Sequence, residues 1–438
     1  MKSLTLALGV FAGLSANPPS ATDAMASAGA SAGTTTAAAD PEASADAPVA
    51  VPAPSEKALR YFRGGNAIWL VEQILGFALP LLLLFTGLSA RLRTLSAGIA
   101  RGHFYPTLVI YLVVFSVAMF LIELPMSYYV GYVREHAYGL STQRLSKWTG
   151  DQLKGLVIGL LVGALVLWVP YVLLARSPTR WWLWTGTLSL PFFALVLLVT
   201  PIWIAPLFNK FGPMKDKGLE TDVLATASQA GVEGARVYEV DKSADTEKVN
   251  AYVTGIGNTK RIVLWDTLLA RLKPRQIRFV VGHELGHYVL GHVLTSIFIS
   301  AALIILGLYG AHRTADLLLG RFGARFGFQQ LSDIASLPLL MLLLSLFSLV
   351  ITPATLALSR YHEHEADRFA LELTHDNYAG ASAFVTLQQQ NLAVPRPGAL
   401  YKIFRASHPP IGERVDFINQ YRPWKQGQPG RYDDRFRR

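Results

Sequence analysis

The chain has 438 residues, a formal net charge of +10 and no cysteine, which excludes a disulfide framework, a thiolate metal site and a thiol nucleophile. Hydrophobic residues make up 51% and charged ones 16%, a balance that long apolar stretches shift away from that of ordinary soluble domains. The basic residues are dispersed among those stretches with no nucleic-acid motif beside them, so the expected counterpart is an anionic lipid bilayer and no nucleic acid.

From the start, Lys2 precedes an apolar run, Leu4 to Leu14, that has the size of a signal-peptide core and is too short for a full span. Residues 1–16 are set apart as a signal-like or anchor segment. Residues 17–54 are Ala, Ser, Thr and Pro with almost no large apolar side chains, too little to offset their conformational entropy, and are expected to be a disordered linker. Six stretches follow near the ~20 residues a bilayer core requires. They are Ile68–Leu88, Tyr105–Leu124, Leu156–Leu174, Trp182–Ile204, Leu294–Tyr309 and Ile334–Leu356. The fifth is the shortest and equally fits a buried helix. Trp181, Trp182 and Trp184 have the character of an interfacial belt.

Between the fourth and fifth stretches, Ala205 to Gly282 reads as a soluble α+β insertion, with a helix over Gly218–Ala230 and strands at Val237–Val240 and Arg261–Leu264. Asn250-Ala251-Tyr252 leads through a Gly-containing turn to the second strand. That spacing suits a hairpin with an edge open to an extended peptide, and suits an ordinary surface hairpin as well.

The insertion ends in V-G-H-E-L-G-H-Y-V-L-G-H, Val281 to His292. Four residues of helix turn through about 400°, so His283 and His287 emerge about 40° apart and reach one ion. Glu284 stands where a carboxylate takes a proton from metal-activated water without ligating. A catalytic zinc needs a third protein ligand, and without cysteine it must be nitrogen or oxygen. After the last span the run Ser359-Arg-Tyr-His-Glu-His-Glu-Ala-Asp367 offers Glu363 as that ligand and Asp367, one turn on, as the residue that hydrogen-bonds a ligating histidine. His362, His364 and Glu365 are rivals for the ligand role. His292 lies about 140° round the helix from His287 and reads as structural.

With these motifs assembled, the chain resembles the type I CAAX prenyl endopeptidases, integral-membrane zinc metalloproteases. The resemblance rests on H-E-L-G-H at 283–287, S-R-x-x-E-x-E-A-D at 359–367, Asn250-Ala-Tyr before K-R-I-V-L-W-D-T-L-L at 260–269, and H-P-P-x-x-E-R at 408–414. Tyr138-Gly-Leu-Ser-Thr-Gln, Trp148-Thr-Gly-Asp-Gln-Leu-Lys and Ala205-Pro-Leu-Phe-Asn-Lys-Phe continue it upstream, over roughly residues 55–420. The fold class expected is mostly α, a polytopic helical membrane protein with an inserted α+β zincin-type (gluzincin) metalloprotease domain. Its parts are N-terminal spans over 55–204, the H-E-x-x-H part over 205–292, two further spans over 293–358, the third-ligand and H-P-P part over 359–425, and a basic tail over 426–438.

The expected chemistry is peptide hydrolysis with one Zn2+ on His283, His287 and Glu363, and with Glu284 as base. By analogy with the family, His408 stabilises the oxyanion and Asn250, Ala251, Tyr252 and Arg414 bind substrate. Expected substrates are peptides or membrane proteins, prenylated at the C-terminus or not. The alternatives are quality control of misfolded membrane proteins and a non-catalytic scaffold or chaperone. A cleaved signal at 1–16 would place the catalytic part outside. Basic residues in the segments before the insertion favour the cytoplasm, with Lys57, Arg60, Arg63, Arg134, Arg144, Lys147 and Lys154 on its side against Arg91, Arg93, Arg101, Arg176 and Arg180.

Overall fold

In the computed structural model, residues 44–255 and 260–437 are described. The signal-like segment 1–16, most of the linker and the centre of the Gly-containing turn lie outside the described residues. Six helical runs among those described are long and apolar enough to cross a membrane: Glu56–Phe85, Phe104–Ala137, Leu145–Arg176, Trp181–Leu207, His292–Phe326 and Ile334–Thr374. They follow the order of the six expected stretches.

Ser55 caps α1 (Glu56–Phe85) by accepting the Ala58 N–H. Next come α2 (Leu88–Ile99) and α3 (Phe104–Tyr128). The third span breaks at Leu167 between α4 (Leu145–Val166) and α5 (Trp168–Arg176), because Pro170 has no N–H to return to the Val166 carbonyl. The fourth begins with α6 (Trp181–Val199).

The insertion comprises β1 (Phe211–Pro213), α7 (Lys217–Gln229), β2 (Arg236–Val240), β3 (Ala251–Thr254), β4 (Arg261–Trp265), α8 (Asp266–Arg271) and α9 (Pro274–Val289). Its sheet has the order β1-β2-β4-β3, parallel at β2–β4 and antiparallel elsewhere. Ala251 pairs with Leu264, and β3 is an edge strand. Ile262 and Leu264 of β4, Val281 and Leu285 of α9 and Phe369 share one buried cluster, which seats the helix on the sheet.

α10 (His292–Phe326) is longer than the stretch expected from Leu294 to Tyr309. The apolar face continues past Tyr309, with Ala311, Ala315, Leu319 and Gly323 buried at four-residue steps. α11 (Leu337–Thr374) carries the last span and then runs on into the catalytic half. It crosses α9 where a Cβ on Gly286 would lie 3.1 Å from Phe369 Cβ and 3.2 Å from Ala366 Cα. A side chain at Gly286 would crowd that approach, which sets Glu363 and Asp367 beside His283 and His287. α12 (Asn377–Gln390), α13 (Ala399–Phe404) and α14 (Ile411–Gln420) close the chain over this crossing.

The linker reading fails at its C-terminal end. Residues 44–54 lie along α12 and α14 as a strap, with Val49 and Val51 packed on the cluster around Phe279, Phe384 and Ile418. Asn419 accepts the Val49 N–H at 3.1 Å and donates to its carbonyl at 2.9 Å; Gln388 donates to the Pro52 carbonyl at 2.9 Å. An Ala/Pro-rich segment lacks the side chains for a core of its own, but its backbone is held by polar side chains of a neighbouring surface. The strap therefore puts the start of α1 on the catalytic side of the six spans. The 138–144 loop is on that side too, its Thr142 hydroxyl donating to the Ser243 carbonyl at 2.7 Å.

Candidate metal centre

Helix α9 begins with Pro274 at its first position and Gln276 accepting the Lys273 N–H at 2.9 Å. Two turns on, it brings His283 Nε2 and His287 Nε2 to 3.2 Å from one another. Glu363 reaches across from α11, Oε2 at 3.3 Å from His283 Nε2 and Oε1 at 3.3 Å from His287 Nε2. Ligand atoms of the three lie within 4.8 Å of one another. Metal bonds of 2.0–2.1 Å at the tetrahedral angle separate ligand atoms by about 3.3 Å, so two imidazoles and a carboxylate fit one zinc-sized ion. Glu363 Oε2 is buried and makes no hydrogen bond of acceptable geometry, the mark of a group whose partner is a cation. Burial opposes a charge on His283, but the neighbouring Asp367 and Glu363 carboxylates outweigh it and lift its pKa to about 10. The pocket thus stabilises positive charge where an ion would sit.

Around these three, Asp367 is 0% exposed and its Oδ1 lies 2.9 Å from His283 Nδ1. Arg414 clamps the same carboxylate with both donors, Nε to Oδ2 at 2.8 Å and Nη2 to Oδ1 at 2.6 Å, its guanidinium 3.8 Å from the Phe384 ring centroid. Sequence reasoning assigned Arg414 to substrate; its geometry ties it to Asp367. A basic residue inside the short α14, which is buried on Val415 and Ile418, was the available signal.

The rival ligands point elsewhere. Glu365 accepts from the Tyr432 hydroxyl and from Arg431 at 3.0 Å, His364 packs on Phe417 and His362 stacks on His292.

Glu284, His283 and Glu363 open onto a cavity of about 160 Å3 whose walls include Asn250, Ala251, Phe384, His408 and Arg414. Burial raises the Glu284 pKa above the ordinary carboxylate value. His408 Nε2 lies 3.3 Å from Glu363 Oε1, and its Nδ1 lies 2.8 Å from Ser407 Oγ. Asn250 Nδ2 is buried without a hydrogen-bond partner. Tyr252 is next but one on the edge strand, pairs with Val263 and is not part of this cavity wall.

A bundle of apolar helices that carries a His-His-Glu group, a buried carboxylate and an open strand edge at one end defines a membrane metalloendopeptidase. Residues 213–422 match peptidase family M48, and residues 49–210 match the CAAX prenyl protease N-terminal region of five membrane helices. The chain belongs to this family of CAAX-prenyl-protease-like M48 metallopeptidases, with four candidate spans described across the second match. It is 36% identical to the uncharacterized metalloprotease YhfN of Bacillus subtilis over 84% of this chain and 86% of that protein. It is 28% identical to CAAX prenyl protease 1 of Saccharomyces cerevisiae, over 68% of this chain and 70% of the relative. The crystal structure of S. mikatae Ste24p shares the fold, with a TM-score of 0.72 and 24% identity across 83% of this chain and 87% of that one.

Proposed function

We propose that this metalloendopeptidase is a zinc enzyme, that His283, His287 and Glu363 hold the ion, and that it cuts an extended peptide laid along β3. The observation that carries the reading is the buried, unbonded Glu363 Oε2 facing two imidazoles 3.2 Å apart. A zinc ion bound there supplies Lewis acidity, acidifying water and polarising a peptide carbonyl.

The chain's own residues do the rest. Glu284 takes the proton of the attacking water and passes it to the leaving amine. Asp367 accepts the His283 Nδ1–H, leaving Nε2 free to ligate, and Arg414 keeps that carboxylate charged and fixed. With the Ser407 hydroxyl donating to Nδ1, His408 carries its proton on Nε2 and offers it to the developing oxyanion. Asn250 donates its free amide N–H to a substrate carbonyl, while the open edge of β3 pairs with the peptide backbone. Ala251 and Tyr252 serve as that edge, and Arg414 borders the substrate cleft without binding substrate directly.

The substrate is a membrane-delivered peptide, and by likeness to the named relatives a prenylated C-terminus. The second reading is an unprenylated segment of a damaged membrane protein. A cavity of about 750 Å3 within the bundle, lined by Trp69, Glu72, Glu123 and Trp148 among others, would admit either. The purified protein, incubated with matched prenylated and unprenylated peptides and read by mass spectrometry, separates them. Purified wild-type protein that binds no stoichiometric zinc would overturn the whole proposal.

The catalytic half is assigned to the cytoplasm. Arg313, Arg321 and Arg325 on the far part of α10 add to the opposite side, but Lys210, Lys215 and Lys217 add as many to the catalytic side, so the bias counted before the insertion stands and carries the assignment.

A further inference from the structure

His283 and His287 look equivalent in sequence, but only His283 has a carboxylate on its Nδ1. The Nδ1 of His287 instead lies 3.0 Å from the Nδ1 of His292. Two imidazoles joined at Nδ1 hold one proton between them. For His287 to ligate through Nε2 that proton must be its own, so His287 donates and His292 accepts. We infer that His292 is the positioning residue for His287, the counterpart of Asp367 for His283, an inference that rests on the metal site proposed above.

Backbone geometry explains how His292 gets there. On a continuous helix it would stand about 140° round from His287. The chain instead leaves α9 through Gly291, at φ 69° and ψ 24°, and starts α10 at His292. A Cβ at Gly291 would meet nothing within 4 Å, so glycine serves here for its left-handed backbone and not for space. That turn folds His292 back towards the ligand. Its ring is then fixed by parallel stacking on His362, centroids 4.2 Å apart and planes 7° apart. Both rings are buried, at 8% exposure, whereas the His287 side chain, at 22%, stands nearer solvent and has more to gain from an anchor. The relevant signature is therefore H-E-x-x-H-x-x-x-G-H, in which the glycine makes the last histidine useful.

Two substitutions separate hydrogen bonding from packing. His292→Phe keeps the ring and its stack on His362 but has no acceptor. His292→Asn gives up the ring and places Oδ1 where Nδ1 was. Metal affinity of the full-length protein in detergent, by chelator competition, and the visible spectrum of its Co2+ form are the readouts. His292→Phe is expected to weaken affinity roughly 10- to 100-fold, the usual effect of losing a ligand's hydrogen-bond partner, with an altered cobalt spectrum. His292→Asn is expected to restore both to near wild type. Wild-type affinity in His292→Phe, or equal losses in both variants, overturns the inference and leaves His292 as packing. A wild-type protein that binds neither ion sinks the metal site itself.

Discussion

Removing Arg414 is the sharpest test of how the centre is held together. Its guanidinium makes two bonds, 2.8 and 2.6 Å, to an Asp367 carboxylate that is 0% exposed. Arg414→Ala leaves that carboxylate buried with only His283, 2.9 Å away, as counter-ion. Breaking a buried pair from one side costs about 3–5 kcal/mol, and the lost packing on Phe384 adds to it. For a unit the size of the catalytic half, that corresponds to a fall in Tm of roughly 6–20 °C. Thermal unfolding in detergent measures it. The double variant Arg414→Ala/Asp367→Asn removes the stranded charge and is expected to recover part of the loss, a coupling that a double-mutant cycle isolates. A single variant within ~1 kcal/mol of wild type, or strictly additive losses, would show that the pair does not hold the site.

Glu284→Gln is expected to keep its metal and lose cleavage, since it removes the base and no ligand; retained turnover would take Glu284 out of the mechanism. Because burial raises the Glu284 pKa, its carboxylate stays protonated to higher pH than usual, so activity should be present above that raised pKa and lost as pH falls through it. An acidic limb at the ordinary carboxylate value would contradict this. Glu363→Ala should lose more affinity than the roughly 10- to 100-fold expected for Asp367→Ala, because it removes a bond and a negative charge beside a dication. Metal retained in Glu363→Ala, but lost in Glu365→Ala, would move the ligand to the other face of α11. The chain has no cysteine, so single variants Lys217→Cys and Ser44→Cys report topology cleanly. Both should resist an impermeant thiol reagent in intact cells and react after lysis, and labelling of either in intact cells would reverse the orientation.

The six spans were legible because an apolar run near bilayer length suits little besides a membrane crossing, and the convergence of His283, His287, Glu363 and Asp367 because spacing on a helix fixes angular position. Both signals are local. The partner of Asp367 was not legible, since Arg414 lies 47 residues away and nothing periodic joins them. The position of His292, 3.0 Å from His287, was missed for the opposite reason. It was close enough in sequence for helical geometry to be applied, and Gly291 ends the helix just before it, so a valid angular rule was carried across a break.

The strap shows how composition can mislead about order. Residues 44–54 have Val49 and Val51 as their only large apolar side chains, and composition alone says that they stay unfolded. What holds them is two valines seated on a neighbouring cluster and a backbone gripped by Asn419 and Gln388, from helices that also wall the catalytic cleft. Asn419 and Phe417 are both on α14, as is Arg414, so the strap and the clamp on Asp367 share one short helix. The first membrane span is thereby tied, through eleven preceding residues, to the element that orients His283. The transmembrane and catalytic halves, which the sequence separates by 370 residues between Val49 and Asn419, meet again at the metal site's own support.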